Sequence, residues 1–99
     1  MHVISQKVVR EFATKHPDAA AALRAWLKVA RNGRFQNFQE LKRTFATVDL
    51  VAVKRRDFYV FNIGGNKYRL IAAIHFNTQR MFVRYILTHA EYGTERWKK

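Results

Sequence analysis

The 99-residue chain contains no cysteine. Disulfides, thiolate metal sites and thiol nucleophiles are excluded together. Serine occurs once, as Ser5, so no serine sits in a strained elbow beside a base. The seven carboxylates form no cluster, and the four histidines, His2, His16, His75 and His89, are widely spaced. No metal-ligand pattern results, and no cofactor is expected. The longest aliphatic run, Leu70 to Ile74, falls far short of the roughly 20 apolar residues of a membrane-spanning helix. Met1 to Ser5 is not a basic segment leading into a long apolar one, so no secretory signal is visible and a cytoplasmic address is expected.

What the chain has in excess is positive charge: 19 Lys and Arg against 7 Asp and Glu, a net +12. An anionic partner is the expectation. Up to Val48 there are 9 cations against 3 acids, and beyond it 10 against 4, so each part carries +6. A basic surface must therefore be assembled by folding. Adsorption to a membrane would ask for a strongly amphipathic basic helix or a lipid anchor, and neither is evident. With 48% hydrophobic and 14% aromatic residues, residues 1–99 are expected to form one domain with one core.

The hydrophobic period changes once, near Val48, from helical spacing to strand alternation. Val3-Ile4 reads as a short strand, after which Ser5 is placed to cap a helix burying Val8, Val9 and Phe12 before Pro17. Asp18 to Arg31 is alanine-rich, with Leu23, Trp26, Leu27 and Ala30 on one stripe and Asn32-Gly33 as its stop. Asn37 with Glu40 resembles a capping box opening a short helix with Phe38, Leu41 and Phe45 on its apolar side. Strands follow at roughly 48–54, 58–63, 67–76 and 81–88, rich in Val, Ile, Phe and Tyr. The expected fold is α+β, with N-terminal helices packed on one face of a mainly antiparallel sheet.

Turn signals at Gly64-Gly65-Asn66 and at Asn77 to Arg80 set a trial register, with Ile63 opposite Lys67 and Asn77 opposite Arg80. It assigns Tyr68, Leu70, Ala72, Ile74, Phe76, Met81, Val83, Tyr85 and Leu87 to the core. The other face receives Lys67, Arg69, Ile71, Ala73 and His75 beside Phe82, Arg84, Ile86 and Thr88, with Arg69 opposite Thr88 and with Tyr59 and Phe61 from the preceding strand. A one-residue bulge at the glycines would displace that pair. Cations alternating with rings suit single-stranded nucleic acid, the guanidinium for phosphate and the ring for an unstacked base. The plainer alternative is that Tyr59 and Phe61 pack a small satellite cluster and the arginines are merely solvated. Lys54-Arg55-Arg56, between two strands, is placed to grip a phosphate backbone or to be a solvated loop.

This inventory suits metal-free RNA cleavage by the substrate's own 2′-hydroxyl, which needs a base, an acid and cations for the charge on the phosphoryl oxygens. Arg69 suits the charge role, because its planar fork matches phosphate geometry. His89, about one residue from it across the strand pair, suits proton transfer, since imidazoles titrate near neutrality. Tyr92 could stack on a base or donate a proton. His75 lies six positions from Arg69, about 20 Å along an extended strand, and is assigned elsewhere.

Phe61-Asn62-Ile63-Gly64-Gly65-Asn66-Lys67-Tyr68-Arg69-Leu70-Ile71, followed by Arg84-Tyr85-Ile86-Leu87-Thr88-His89-Ala90-Glu91-Tyr92, resembles the HigB family of bacterial toxins within the RelE-like superfamily. The resemblance spans essentially the whole chain. It implies the toxin of a type II toxin-antitoxin pair, an endoribonuclease (mRNA interferase) that cuts mRNA on the ribosome and is neutralised by a HigA-type antitoxin. Arg69 matches the strand arginine of RelE-like toxins, and His89 and Tyr92 the groups after the last strand. One departure is visible: Tyr59 to Ile63 contains no Lys or Arg, so a lysine base could come only from elsewhere, such as Lys67 or Lys98. Lys54, Arg55, Arg56, Tyr59, Phe61, Lys67, Arg84 and Lys98 are the candidate RNA-binding residues, and the remaining charge is read as attraction to ribosomal RNA. A non-catalytic RNA-binding regulator using the same face, and a basic face for an acidic protein, are the alternatives.

Overall fold

The computed structural model describes residues 1–99. Strand β1 (His2–Ile4) leads into helices α1 (Gln6–Lys15), α2 (Ala20–Asn32) and α3 (Phe38–Thr44). Strands β2 (Asp49–Val53), β3 (Arg56–Ile63), β4 (Tyr68–His75) and β5 (Arg80–Thr88) follow, then a short helix α4 (His89–Gly93). The sheet order is β1-β5-β4-β3-β2, with β1 parallel to β5 and every other pair antiparallel. The N-terminal helices cover one face, as the change of period predicts.

Each helix owes its place to one apolar stripe. Leu23, Trp26 and Ala30, spaced three and four apart, are buried on α2 and meet Phe61, Leu70, Met81 and Val83 of the sheet. α2 stops at Gly33, where the ring of buried Phe35 comes so close that a Cβ would lie 2.3 Å from it. The start signals act differently from expectation. Ser5 turns the chain in the left-handed region (φ 72°), and its side chain makes no cap hydrogen bond. Asn37 accepts from Glu40 N at 3.0 Å, while the Glu40 carboxylate reaches one residue further, to Gln36 N at 2.9 Å. The box is thus half formed and stretched.

Two irregularities correct the trial register. Gly64 (φ 63°) and Gly65 (φ 70°) open a turn that includes Lys67, so Ile63 pairs with Tyr68 and Asn62 with Arg69. Because side chains alternate, that single residue turns Tyr59 and Phe61 inward. They are 6% and 2% exposed, Phe61 lying edge-on to Trp26 and Phe45, and Tyr59 against Phe38 and Phe76. Burial raises the Tyr59 phenol pKa, with Asp57 adding to it. At the second hairpin β4 ends at His75 opposite Arg80, and Gln79 (φ 55°) closes the loop. A bulge then inserts Arg84: Ala72 pairs with Val83 but Ile71 with Tyr85. Beyond it Ile86 enters the core, while Tyr85, 43% exposed, and Leu87 leave it, reversing their expected faces. Lys54 (φ 51°) and Arg55 (φ 68°) form a two-residue hairpin turn, and Arg56 already pairs with Val53. The basic run is a turn and a strand start, not a loop.

A polar clasp ties the glycine turn to the helices. The Tyr68 hydroxyl donates to both Asp18 carboxylate oxygens (2.9 and 2.7 Å), with Lys67 Nζ 3.7 Å away. The Tyr68 hydrogen bond holds the Asp18 carboxyl below its ordinary 3.8; partial desolvation opposes, and Lys67 reinforces the shift. Folded Asp18 therefore binds its proton less tightly than the unfolded chain does. That stability is present above pH 3.8 and is lost as the pH falls through the depressed folded value. Tyr68→Phe should return Asp18 toward 3.8 and flatten this acid limb, measured by urea unfolding at stepped pH. An unchanged limb would show that the clasp does not set it.

Candidate active site

The sheet face away from the helices carries Phe58 and Asn62 of β3, Arg69 of β4 and Tyr85 and Leu87 of β5. It is not an open platform. Val60 and Ile71 are 2% and 0% exposed without joining the helical core, because α4 packs on β4 and β5 and the chain then returns through a 3-10 turn at Arg96–Lys98. Trp97 of that turn meets Phe58 edge-on at 6.0 Å.

The entry into α4 is built by its own sequence. Thr88 accepts from Glu91 N at 3.1 Å, and the Glu91 carboxylate accepts from Thr88 N at 2.9 Å, a complete capping box. His89 is therefore the first residue of a helix. Its backbone N–H donates to Lys67 O at 2.9 Å, which binds the helix start to the glycine turn. The T-x-x-E spacing was available to sequence reading and marks this helix.

These two anchors bring three expected residues together. Arg69 Nη1 donates to Asn66 O (3.1 Å) and Tyr68 O (3.2 Å), while Nη2 lies 3.2 Å from His89 Nδ1. A guanidinium has no acceptor, so Nδ1 must supply the lone pair and the neutral imidazole carries its proton on Nε2. The guanidinium also lies over the Tyr92 ring at 5.7 Å. Tyr92 in turn stacks on Trp97, with centroids 5.7 Å apart and planes 15° from parallel. Arg69 forms no salt bridge, so its charge is held by carbonyls and rings but is not neutralised.

The other candidates divide. Lys54, Arg56, Arg84 and Lys98 line one cleft with Phe58, Tyr85 and Trp97. Arg55 projects from its turn outside that cleft, and Lys67 sits in the glycine turn facing Asp18. Tyr59 and Phe61 are core residues, Phe61 wholly enclosed and Tyr59 reaching only the edge of the neighbouring cleft. Phe58 and Trp97 went unread: Phe58 because the register was one residue out, Trp97 because nothing local links a tail residue to a sheet. No three His, Asp or Glu side chains come together as a metal-binding group.

N-terminal helices on one face of a five-stranded, mostly antiparallel sheet, with an unneutralised central-strand arginine and a short helix on the other, make this a member of the class of small α+β proteins. Within that class the chain belongs to the HigB toxin family: residues 19–95 match the family described as HigB toxin, RelE-like toxic component of a toxin-antitoxin system. It is 37% identical over 92 residues, 93% of this chain and 88% of the relative, to the mRNA interferase HigB of Escherichia coli O6:H1. It is 35% identical, with the same coverage, to the mRNA interferase toxin HigB of Escherichia coli K12 and to the mRNA interferase HigB of Shigella flexneri.

One indole, Trp97, touches both the sheet at Phe58 and α4 at Tyr92. Trp97→Ala should lower stability by about 1–3 kcal/mol and loosen the Tyr92 ring, seen as faster ring averaging by NMR with the β3–β4 amide pattern retained. Unchanged stability and unchanged Tyr92 dynamics would show that the stack supports nothing.

Proposed function

We propose that this chain is a ribosome-dependent mRNA endoribonuclease that acts in the cytoplasm, is held in check by a HigA-type antitoxin, and works as one toxin domain over residues 1–99. The observation that carries the reading is the 3.2 Å approach of Arg69 to His89 Nδ1. In the free protein the one basic atom of His89 is occupied by Arg69. A scissile phosphate drawn onto the guanidinium fork competes for Nη2 and frees Nδ1 to take the proton of the adjacent 2′-hydroxyl. The 2′-oxygen then attacks phosphorus, negative charge grows on the phosphoryl oxygens beside Arg69, and the 5′-oxygen departs with a proton. Tyr92, its ring already engaged by Arg69 and Trp97, offers its hydroxyl as the auxiliary acid. The products are a 2′,3′-cyclic phosphate and a 5′-hydroxyl, and no metal enters the balance.

The cations away from this face serve attraction to ribosomal RNA, so ribosome association should weaken with salt in proportion to the phosphates neutralised. Docking and chemistry are then separable. Arg69→Ala should abolish cleavage, and His89→Gln should slow it by about 10²–10⁴-fold while ribosome sedimentation is retained. Primer extension on mRNA after brief induction reads both. New 5′ ends at discrete codons are expected for the wild type and not for Arg69→Ala; arrest without cuts would establish a non-catalytic RNA-binding regulator instead.

A further inference from the structure

Two clefts on the site face share Arg56, Phe58 and Arg84 and so form one trough. Their volumes are about 180 and 300 Å³. One end is walled by Tyr85 and Trp97, the other by His75. Neither Arg56 nor Arg84 belongs to a salt bridge, both are exposed, and Asp57 is the one acidic side chain on either wall. Arg84 is the residue the bulge inserts, and the bulge sets its guanidinium at the trough. The trough reaches Tyr59 on β3 and Tyr85 on β5, near Asn62 and Leu87, the cross-strand partners of Arg69, but Arg56 stands six residues from Asn62 along β3. At strand rise that is roughly 20 Å, too far for one phosphate to touch both Arg56 and Arg69.

We propose that this trough is a second RNA subsite, holding the single-stranded segment that flanks the cleaved bond, with Arg56 and Arg84 on its phosphates and a base against Phe58 or Trp97. The assignment rests on the nuclease reading above. Single-stranded RNA is the occupant because rings can meet only unstacked bases, which a duplex does not present. The trough supplies affinity and register, while Arg69 supplies chemistry.

The test is an Arg56→Gln/Arg84→Gln double variant of the full chain, assayed on programmed ribosomes. KM should rise about tenfold with kcat nearly unchanged, and the salt slope of binding should fall by about 2. An equal loss in kcat, or an unchanged KM, overturns the subsite. Binding is read separately by the fluorescence of Trp97 on titration with a short RNA carrying a 2′-deoxy residue at the scissile position. Quenching should occur in the wild type, vanish in Trp97→Phe, which leaves only Trp26, and weaken in the double variant; quenching insensitive to the two arginines overturns the proposal. A double variant that loses vacant ribosomes as strongly as it loses the oligonucleotide would assign the arginines to ribosomal RNA and also overturn it. Arginine-dependent quenching with no cleavage by the wild type would leave the subsite standing and remove the nuclease reading.

Discussion

The parity of the β3–β4 hairpin is the constraint on which the rest depends. Strand side chains alternate, so the number of residues in the glycine turn decides which half of β3 is core and which is site. With Lys67 inside the turn, Phe61 meets Trp26 and Asn62 stands opposite Arg69. One residue fewer would bury Asn62 against the helices and expose Phe61, losing a large aromatic from the core. Truncating such a residue commonly costs about 3–5 kcal/mol, a large share of a small domain's stability. Packing on the helical side thus enforces the placement of charge on the other.

The arginine at that position is an unusual object for a central strand. It is half-buried, unpaired with any carboxylate, and held by Asn66 O, Tyr68 O, the His89 lone pair and the Tyr92 ring. Such partners fix the plane of the guanidinium without cancelling its charge, which is the condition for binding an incoming phosphate. Four neighbours from the glycine turn, the start of β4 and α4 must meet for this to happen. The Thr88–Glu91 capping box, a local device, and the bond from His89 N to Lys67 O, which joins the flanks of two separate strands, together supply that meeting.

Much of the scaffold was legible in the residues. The stripe Leu23, Trp26 and Ala30, the Asn37 cap and the order of helices and strands each carry their own local cause, and each stands where the pattern put it. The closeness of Arg69, His89 and Tyr92 was also legible, although through an incorrect register. Both hairpins were misjudged, and Arg69 pairs with Leu87 where Thr88 was expected, a shift small enough that long side chains still meet. Tyr59 and Phe61 were not forgiven the same error, since a buried ring and an exposed one differ by a single step. The bulge at Arg84 has no local signature in the sequence around it.

Composition and period alone determined a strongly basic α+β chain without thiols or clustered carboxylates, with an arginine in a strand and a histidine just after the last one. The tertiary structure decided which rings face the site. It replaced Tyr59 and Phe61 with Phe58 and Trp97, and it gathered Arg56 and Arg84 into one trough. The physical reason is the difference in range. Hydrophobic period and capping act within a turn or two of chain, whereas turn length, bulge position and the docking of a tail are settled by packing between residues far apart in sequence.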